Sequence, residues 1–250
     1  EAGDKDAAVT LGRDASRNMV SDEKGLPADF APGKPRDGTE EIDPTTTRNV
    51  RWVAKLGSQS YGNPTVAALE AKMADLEGAE AAVAFASGTA ATAATVLGLL
   101  NPGDELVFLG PLYGGTEGLL RSLGERWGLL VTDATATGLA AALSPATRMV
   151  WVEPLTNPSL QMHNLEAVAA TARAHGALTV ADNTFCTPCL TRPLAHGIDL
   201  VVHSMTKYLG GHGDATGGLV AGRAAHIAQV RKTGLGHIGA SLAAQEAFLF

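Results

Sequence analysis

Lys207 follows the apolar run Leu200-Val201-Val202 and sits in Ser204-Met205-Thr206-Lys207-Tyr208-Leu209-Gly210-Gly211-His212, with two hydroxyl groups just ahead of it. A lysine at the mouth of a buried strand is expected to lose hydration, which disfavours its ammonium and makes a neutral, nucleophilic amine accessible near neutral pH. Such an amine condenses with aldehydes. Ser-x-Thr-Lys alone also describes a solvated surface lysine, so the residues that the chain places at its other strand ends decide between the two.

Three further segments each follow a strand-like run. Ala81-Ala82-Val83-Ala84-Phe85 leads through Ser87-Gly88-Thr89 into the helix-forming Ala90-Ala91-Thr92-Ala93-Ala94. A strand, a glycine turn and a helix start gather free N–H groups and the positive end of the helix dipole, which suits a phosphate; an ordinary turn with a serine cap would look similar. Ala177-Leu178-Thr179-Val180-Ala181 ends at Asp182-Asn183-Thr184. A carboxylate at a strand's carboxyl end needs a cationic partner, such as a protonated ring nitrogen, unless it caps a turn. After Glu105-Leu106-Val107-Phe108, the turn Gly110-Pro111-Leu112-Tyr113-Gly114-Gly115-Thr116 offers a ring that could stack on a planar group. Amine, phosphate cradle, carboxylate and stacking ring are together the requirements of pyridoxal 5'-phosphate.

In these residues the chain resembles the Cys/Met-metabolism family of pyridoxal-phosphate enzymes, which includes cystathionine γ-synthase, the cystathionine lyases, methionine γ-lyase and O-acetylhomoserine sulfhydrylase. The similarity runs from about Tyr61 to the last residue. Its motifs are Gly62-Asn63-Pro64-Thr65, Ala86-Ser87-Gly88-Thr89-Ala90-Ala91, Tyr113-Gly114-Gly115-Thr116, Glu153-Pro154-Leu155-Thr156-Asn157-Pro158, Asp182-Asn183-Thr184-Phe185 and Ser204-Met205-Thr206-Lys207-Tyr208. The resemblance implies that Lys207 carries the cofactor covalently, that Asp182 holds the pyridine nitrogen, and that Tyr113, the second catalytic residue, stacks on the ring. Ser87, Gly88, Thr89, Ser204 and Thr206 would hold the phosphate, and Asn157 would sit near the phenolic oxygen. The implied fold is α/β, the aspartate-aminotransferase-like fold type I with a mostly parallel sheet.

Two departures qualify the resemblance. The family usually carries Tyr-x-Arg before its Asn-Pro-Thr, reaching a neighbour's phosphate, but Ser58 and Ser60 occupy those positions here, with Tyr61 out of register. Methionine γ-lyases tend to have a cysteine where this chain has Gly115. The expected activity is therefore that of a carbon–sulfur lyase, eliminating a β or γ substituent from cysteine or an S-substituted cysteine or homocysteine, with freed Lys207 as base. A γ-replacement enzyme, cystathionine γ-synthase or O-acylhomoserine sulfhydrylase, would share every motif. A non-catalytic relative with a structural role would keep the fold, although retention of Lys207, Asp182 and Tyr113 together argues against it.

The first 50 residues hold 18 of the 45 charged side chains, 11 acidic and 7 basic, and Pro27, Pro32, Pro35 and Pro44 interrupt them without hydrophobic periodicity. Residues 1–57 read as an extended arm or linker, and residues 58–250 as the cofactor-binding large domain. In the family a smaller C-terminal domain follows, so the sequence reads as a fragment, and cysteine-lyase domains within polyketide synthases resemble such a piece. In the family the loop holding Asn63-Pro64-Thr65 reaches toward a neighbour's active site, so the resemblance implies a homodimer or homotetramer. Among 250 residues the acids outnumber the bases, 26 to 19, which argues against nucleic acid and anionic membrane as partners. Neither a bilayer-length apolar span nor a signal-peptide pattern is present, so a cytoplasmic enzyme acting on a small amino acid is expected. Cys186 and Cys189 form a C-x-x-C interrupted by Pro188, without the second ligand pair a zinc site wants. His203 and His212 are read as packing or hydrogen-bonding residues around the lysine loop.

Overall fold

A computed structural model describes residues 63–250. The expected arm, Ser58, Ser60 and Tyr61 lie outside the described residues. Helix α1 (Pro64–Glu77) begins where Asn63 Oδ1 accepts the Thr65 N–H at 2.9 Å and Pro64 supplies a pre-set φ. The chain then alternates β1 (Ala81–Phe85), α2 (Gly88–Leu99), β2 (Glu105–Leu109), α3 (Gly114–Trp127), β3 (Leu130–Asp133), the short α4 (Leu139–Ala142), β4 (Thr147–Val152), α5 (Leu165–His175) and β5 (Leu178–Asp182). The helical turn α6 (Thr187–Leu190), β6 (Leu200–Ser204), β7 (Gly218–Gly222), α7 (Ala224–Arg231) and α8 (Ala244–Leu249) complete it.

The seven strands form one sheet in the order β1-β7-β6-β5-β4-β2-β3. Strand β7 runs antiparallel to both of its neighbours, and every other pairing is parallel. Six strands thus point one way, and their carboxyl ends share one edge. Helices cover both faces, which is why these strands read as continuous apolar runs rather than alternating ones. Phe85, Leu106, Phe108, Met149, Trp151, Val180, Leu200 and Val202 build one core with α2 and α3. Val107, Val150, Val152 and Ala181 build a second with α5. Each large apolar side chain buried this way contributes about 1.5–3 kcal/mol relative to leaving it in water.

Two glycines decide how closely the edge can close. A β-carbon at Gly88 would fall 2.6 Å from the Ser204 Cβ, and one at Gly218 would fall 2.1 Å from the Ser87 carbonyl oxygen. Only glycine lets the start of α2 press against the end of β6 there. The register agrees, since Phe85 and Ser204 both pair with Gly218. No helix among the described residues is long and apolar enough to cross a membrane.

Candidate active site

The strand ends enclose a cavity of about 310 Å³, and all nine residues singled out from sequence line it: Ser87, Gly88, Thr89, Tyr113, Asn157, Asp182, Ser204, Thr206 and Lys207. Five separate strand ends bring them together. Thr92, Thr116, Glu153, Thr184, Phe185 and Thr216 line it as well, and sequence reasoning assigned none of them a role.

At one side, α2 presents its first turn. Ser87 Oγ accepts the Ala90 N–H at 3.1 Å, so this hydroxyl works as the helix cap. The Gly88 and Thr89 amides are left at the helix start, opposite Ser204. Thr206 Oγ1 accepts the Gly217 N–H at 3.0 Å and donates to the Gly217 carbonyl at 3.3 Å. The second bond is long, so its proton can turn toward an anion at little cost.

A relay fixes the floor. The Ser204 N–H donates to Thr184 Oγ1 at 2.8 Å, and Thr184 donates to Asp182 Oδ1 from both its hydroxyl, at 2.5 Å, and its amide, at 3.1 Å. Oδ2 receives no hydrogen bond from the described residues, so one oxygen stays available to a ligand. Burial pushes the Asp182 carboxyl up; the two Thr184 bonds and nearby His203 pull it back down. Behind the floor, Asn183 and His203 point to the opposite face. His203 Nε2 lies 2.6 Å from Glu77 Oε1, the Asn183 amide donates to the same oxygen at 3.1 Å, and the side chains of Glu77 and His203 are fully buried.

Glu153, at the end of β4, is the residue whose role sequence reasoning missed. Oε1 accepts the Tyr113 N–H at 2.7 Å and Oε2 accepts the Asn157 N–H at 3.2 Å. Burial, the largest cause, together with the facing Asp182, pushes its pKa up from 4.5 to about 7 against the pull of the two amides. The quoted motif from Glu153 to Pro158 was the only available signal.

Tyr113 stands at the rim, half exposed, with its ring folded over Gly115. Lys207 is exposed on the turn after β6, held through its N–H to the Ser204 carbonyl at 3.2 Å and by the Gly211 N–H to its own carbonyl at 2.8 Å. The desolvation expected for it is therefore not supplied by residues 63–250, because β6 ends three residues earlier and the turn carries the side chain to the rim. His212 is exposed and bonded to the Gly210 carbonyl at 2.7 Å. Cys186 and Cys189 are free thiols, and burial pushes the Cys186 thiol up, away from reactivity. Among the described residues no group of three or more His, Cys, Asp and Glu could hold a metal ion.

Two carboxylates that resist ionisation, facing one cavity opposite a phosphate-type helix start and beside a lysine, fit pyridoxal phosphate: its ring nitrogen supplies the cation and its phosphate the anion. Sheet order and cavity define a fold-type-I pyridoxal-phosphate protein. More particularly, the chain belongs to the Cys/Met metabolism PLP-dependent enzymes, whose pattern matches residues 55–250. An L-methionine gamma-lyase of Pseudomonas putida is 48% identical over 191 residues, covering 75% of this chain and 48% of that protein. A cystathionine gamma-synthase of Mycobacterium tuberculosis is 44% identical over 160 residues, covering 63% of this chain and 41% of that protein. A solved Campylobacter jejuni structure carrying N'-pyridoxyl-lysine-5'-monophosphate is 26% identical, with a TM-score of 0.73, over 80% of this chain and 61% of its own. The chain thus spans about half the length of the curated relatives it matches.

Proposed function

We propose that this protein is a pyridoxal-phosphate-dependent carbon–sulfur lyase that eliminates a β or γ substituent from cysteine or an S-substituted cysteine or homocysteine. One observation carries the reading: a single cavity joins Lys207, the open oxygen of Asp182 and the α2 helix start. Pyridoxal phosphate, when bound, supplies the carbonyl that receives an amino group and the ring that accepts electron density from the substrate's α-carbon. The protein does the rest. Asp182 Oδ2 would hold the ring N–H, while the Gly88 and Thr89 amides and the Ser204 and Thr206 hydroxyls hold the phosphate oxygens. Tyr113 covers the ring face, and Asn157 takes the edge beside Glu153. Lys207 Nζ would take the substrate's α-proton and pass a proton to the sulfur that leaves, so the substituent departs as a thiol or as hydrogen sulfide and the carbon skeleton is left unsaturated. A ligand filling the cavity would also give Lys207 the dry surroundings that the exposed rim does not.

The 44% identity to a cystathionine gamma-synthase favours a second reading, γ-replacement by an added thiol. Incubating the complete protein with cysteine, cystathionine and S-alkylcysteines, with and without a thiol acceptor, separates the two. Keto acid and sulfide released without acceptor are expected; product formed only with acceptor would replace the lyase reading. The same proposal includes an extended arm or linker at residues 1–57 followed in sequence by a cofactor-binding domain over residues 58–250, and a homodimer or homotetramer, supported by the motif Asn63-Pro64-Thr65, which in the family belongs to a loop reaching a neighbour's active site. Serines at 58 and 60 support a specialised branch, such as a cysteine-lyase domain of a polyketide synthase.

A further inference from the structure

Tyr113 is held from both sides of its own peptide. Its carbonyl accepts the Thr116 and Glu117 N–H groups at 2.9 and 3.1 Å as α3 begins, and its N–H is taken by Glu153 Oε1 at 2.7 Å. The other Glu153 oxygen takes the Asn157 N–H at 3.2 Å, so one side chain ties together two loops that meet at the cavity. Both partners are donors. Only a group with two acceptor oxygens satisfies both, whereas a glutamine would turn its NH₂ toward one of them. A neutral residue would avoid the cost of burying a carboxylate with only 4% of its surface exposed, so the residue type needs a reason, and the double amide supplies one.

We propose that Glu153 is a positioning residue whose carboxylate clamps the backbones of Tyr113 and Asn157 together and thereby sets the placement of the Tyr113 ring over the cavity. This rests on the cofactor reading above only for what the ring covers. The clamp is charge-dependent: a proton on one oxygen removes an acceptor, and burial puts that proton within reach near pH 7. The titratable groups sharing its cavity are Asp182 from β5, Tyr113 from the start of α3 and Lys207 from the turn after β6. Asp182 opposes ionisation of Glu153, so a cation received at Asp182 would close the clamp.

Two measurements test this. In the cofactor-free complete protein, Glu153→Gln is expected to speed amide hydrogen exchange at Tyr113 or Asn157 about tenfold, the loss of one hydrogen bond. In the unmutated protein, protection of the Tyr113 or the Asn157 amide, corrected for intrinsic exchange, is expected to fall as pH drops through about 7. The second arm needs no variant to fold. For the cofactor, a double-mutant cycle of Glu153→Gln and Tyr113→Ala, read as the dissociation constant of pyridoxal phosphate, is expected to be non-additive, with the double variant no weaker than Tyr113→Ala alone. Unchanged exchange at both amides, or strictly additive losses, would overturn the clamp. Failure of the unmutated protein to bind pyridoxal phosphate would instead strike the proposed function, and the exchange measurement would then decide the clamp alone.

Discussion

Asp182 and Ser204 on one side of the sheet, and their chain neighbours Asn183 and His203 on the other, are separated by one step of strand pleat and by a large difference in environment. On the cavity face, Asp182 keeps an oxygen without a donor among the described residues, and Lys207 and Tyr113 stand at the rim. On the back face, Asn183 and His203 converge on Glu77 Oε1 in a sealed network with bonds of 3.1 and 2.6 Å. Both faces are polar. Unmet hydrogen-bonding capacity is not what separates them, because Glu77 Oε2, Asn183 Oδ1 and His203 Nδ1 also lack partners among the described residues; the difference is access, since the Asp182 oxygen faces an open cavity while the back-face groups are closed off from any ligand and fix the strand ends.

The contrast breaks most visibly through Lys207. Lys207→Ala removes the amine from an exposed turn with no packing role, so turnover should drop by roughly 10⁴-fold while the melting temperature of the cofactor-free protein stays put. Borohydride reduction and peptide mapping of the unmutated protein should find the pyridoxyl group on Lys207; its appearance on another lysine would sink the assignment. The back face should answer the opposite way. Glu77→Ala leaves buried His203 and Asn183 donors without their shared acceptor, at a cost of about 3–5 kcal/mol, or roughly 10 °C in Tm for a domain of this size. Glu77→Gln keeps the acceptor and should recover much of that loss. A stable Glu77→Ala protein that had lost only its cofactor would show that the two faces are not separable.

The cavity residues were legible because function here sits at strand ends, and a strand end is readable as the point where an apolar run stops: Val180-Ala181 before Asp182, Val201-Val202 before Ser204, Phe85 before Gly88. What escaped depends on partners distant in sequence or without side-chain identity. Glu153 binds two backbone amides, which no residue pattern advertises. Glu77 and His203 are 126 positions apart, and the alternation that sends His203 backward and Ser204 forward needs the sheet's two covers to be known. The run Gly218–Gly222 looks like any buried strand, and nothing in its composition gives its reversed direction. The exposure of Lys207 departs from the dry strand mouth expected from the run Leu200-Val201-Val202, because β6 ends at Ser204 and the following turn carries the lysine three residues farther, to the rim.

Glu153 gives the comparison a pH axis. Its folded pKa is raised from 4.5 to about 7, so between those values the folded cofactor-free protein binds more protons than the unfolded chain. Stability should therefore be fully present below about 4.5, fall as pH rises toward about 7, and level off above it. The total change is on the order of 3 kcal/mol from this group. Denaturant midpoints measured at pH 5.5 and 8 should show the decline, and Glu153→Gln should flatten it. An equal decline in that variant would assign the effect to other groups, with Asp182, also pushed up by burial, as the next suspect.

The smallest effect should come from the rim. A β-carbon at Gly115 would lie 2.5 Å from Tyr113 Cε1 and 3.1 Å from Cζ, so the ring as placed rests where a side chain would be. The obstructing atoms belong to a side chain that is half exposed, so Gly115→Ala should move the ring rather than the helix. Alanine also favours the first turn of α3, a gain of up to about 1 kcal/mol that offsets the displaced contact. Net stability should change by less than about 1 kcal/mol, in contrast to the back face. Retention of pyridoxal phosphate should shift several-fold, because the aromatic contact that the ring offers is worth about 0.5–1.5 kcal/mol. The direction is informative: tighter retention would mean that the glycine parks the ring away from the ligand, and weaker retention that the ring already stands in its working place. Unchanged retention together with a large loss of stability would reverse the comparison, making the rim structural after all.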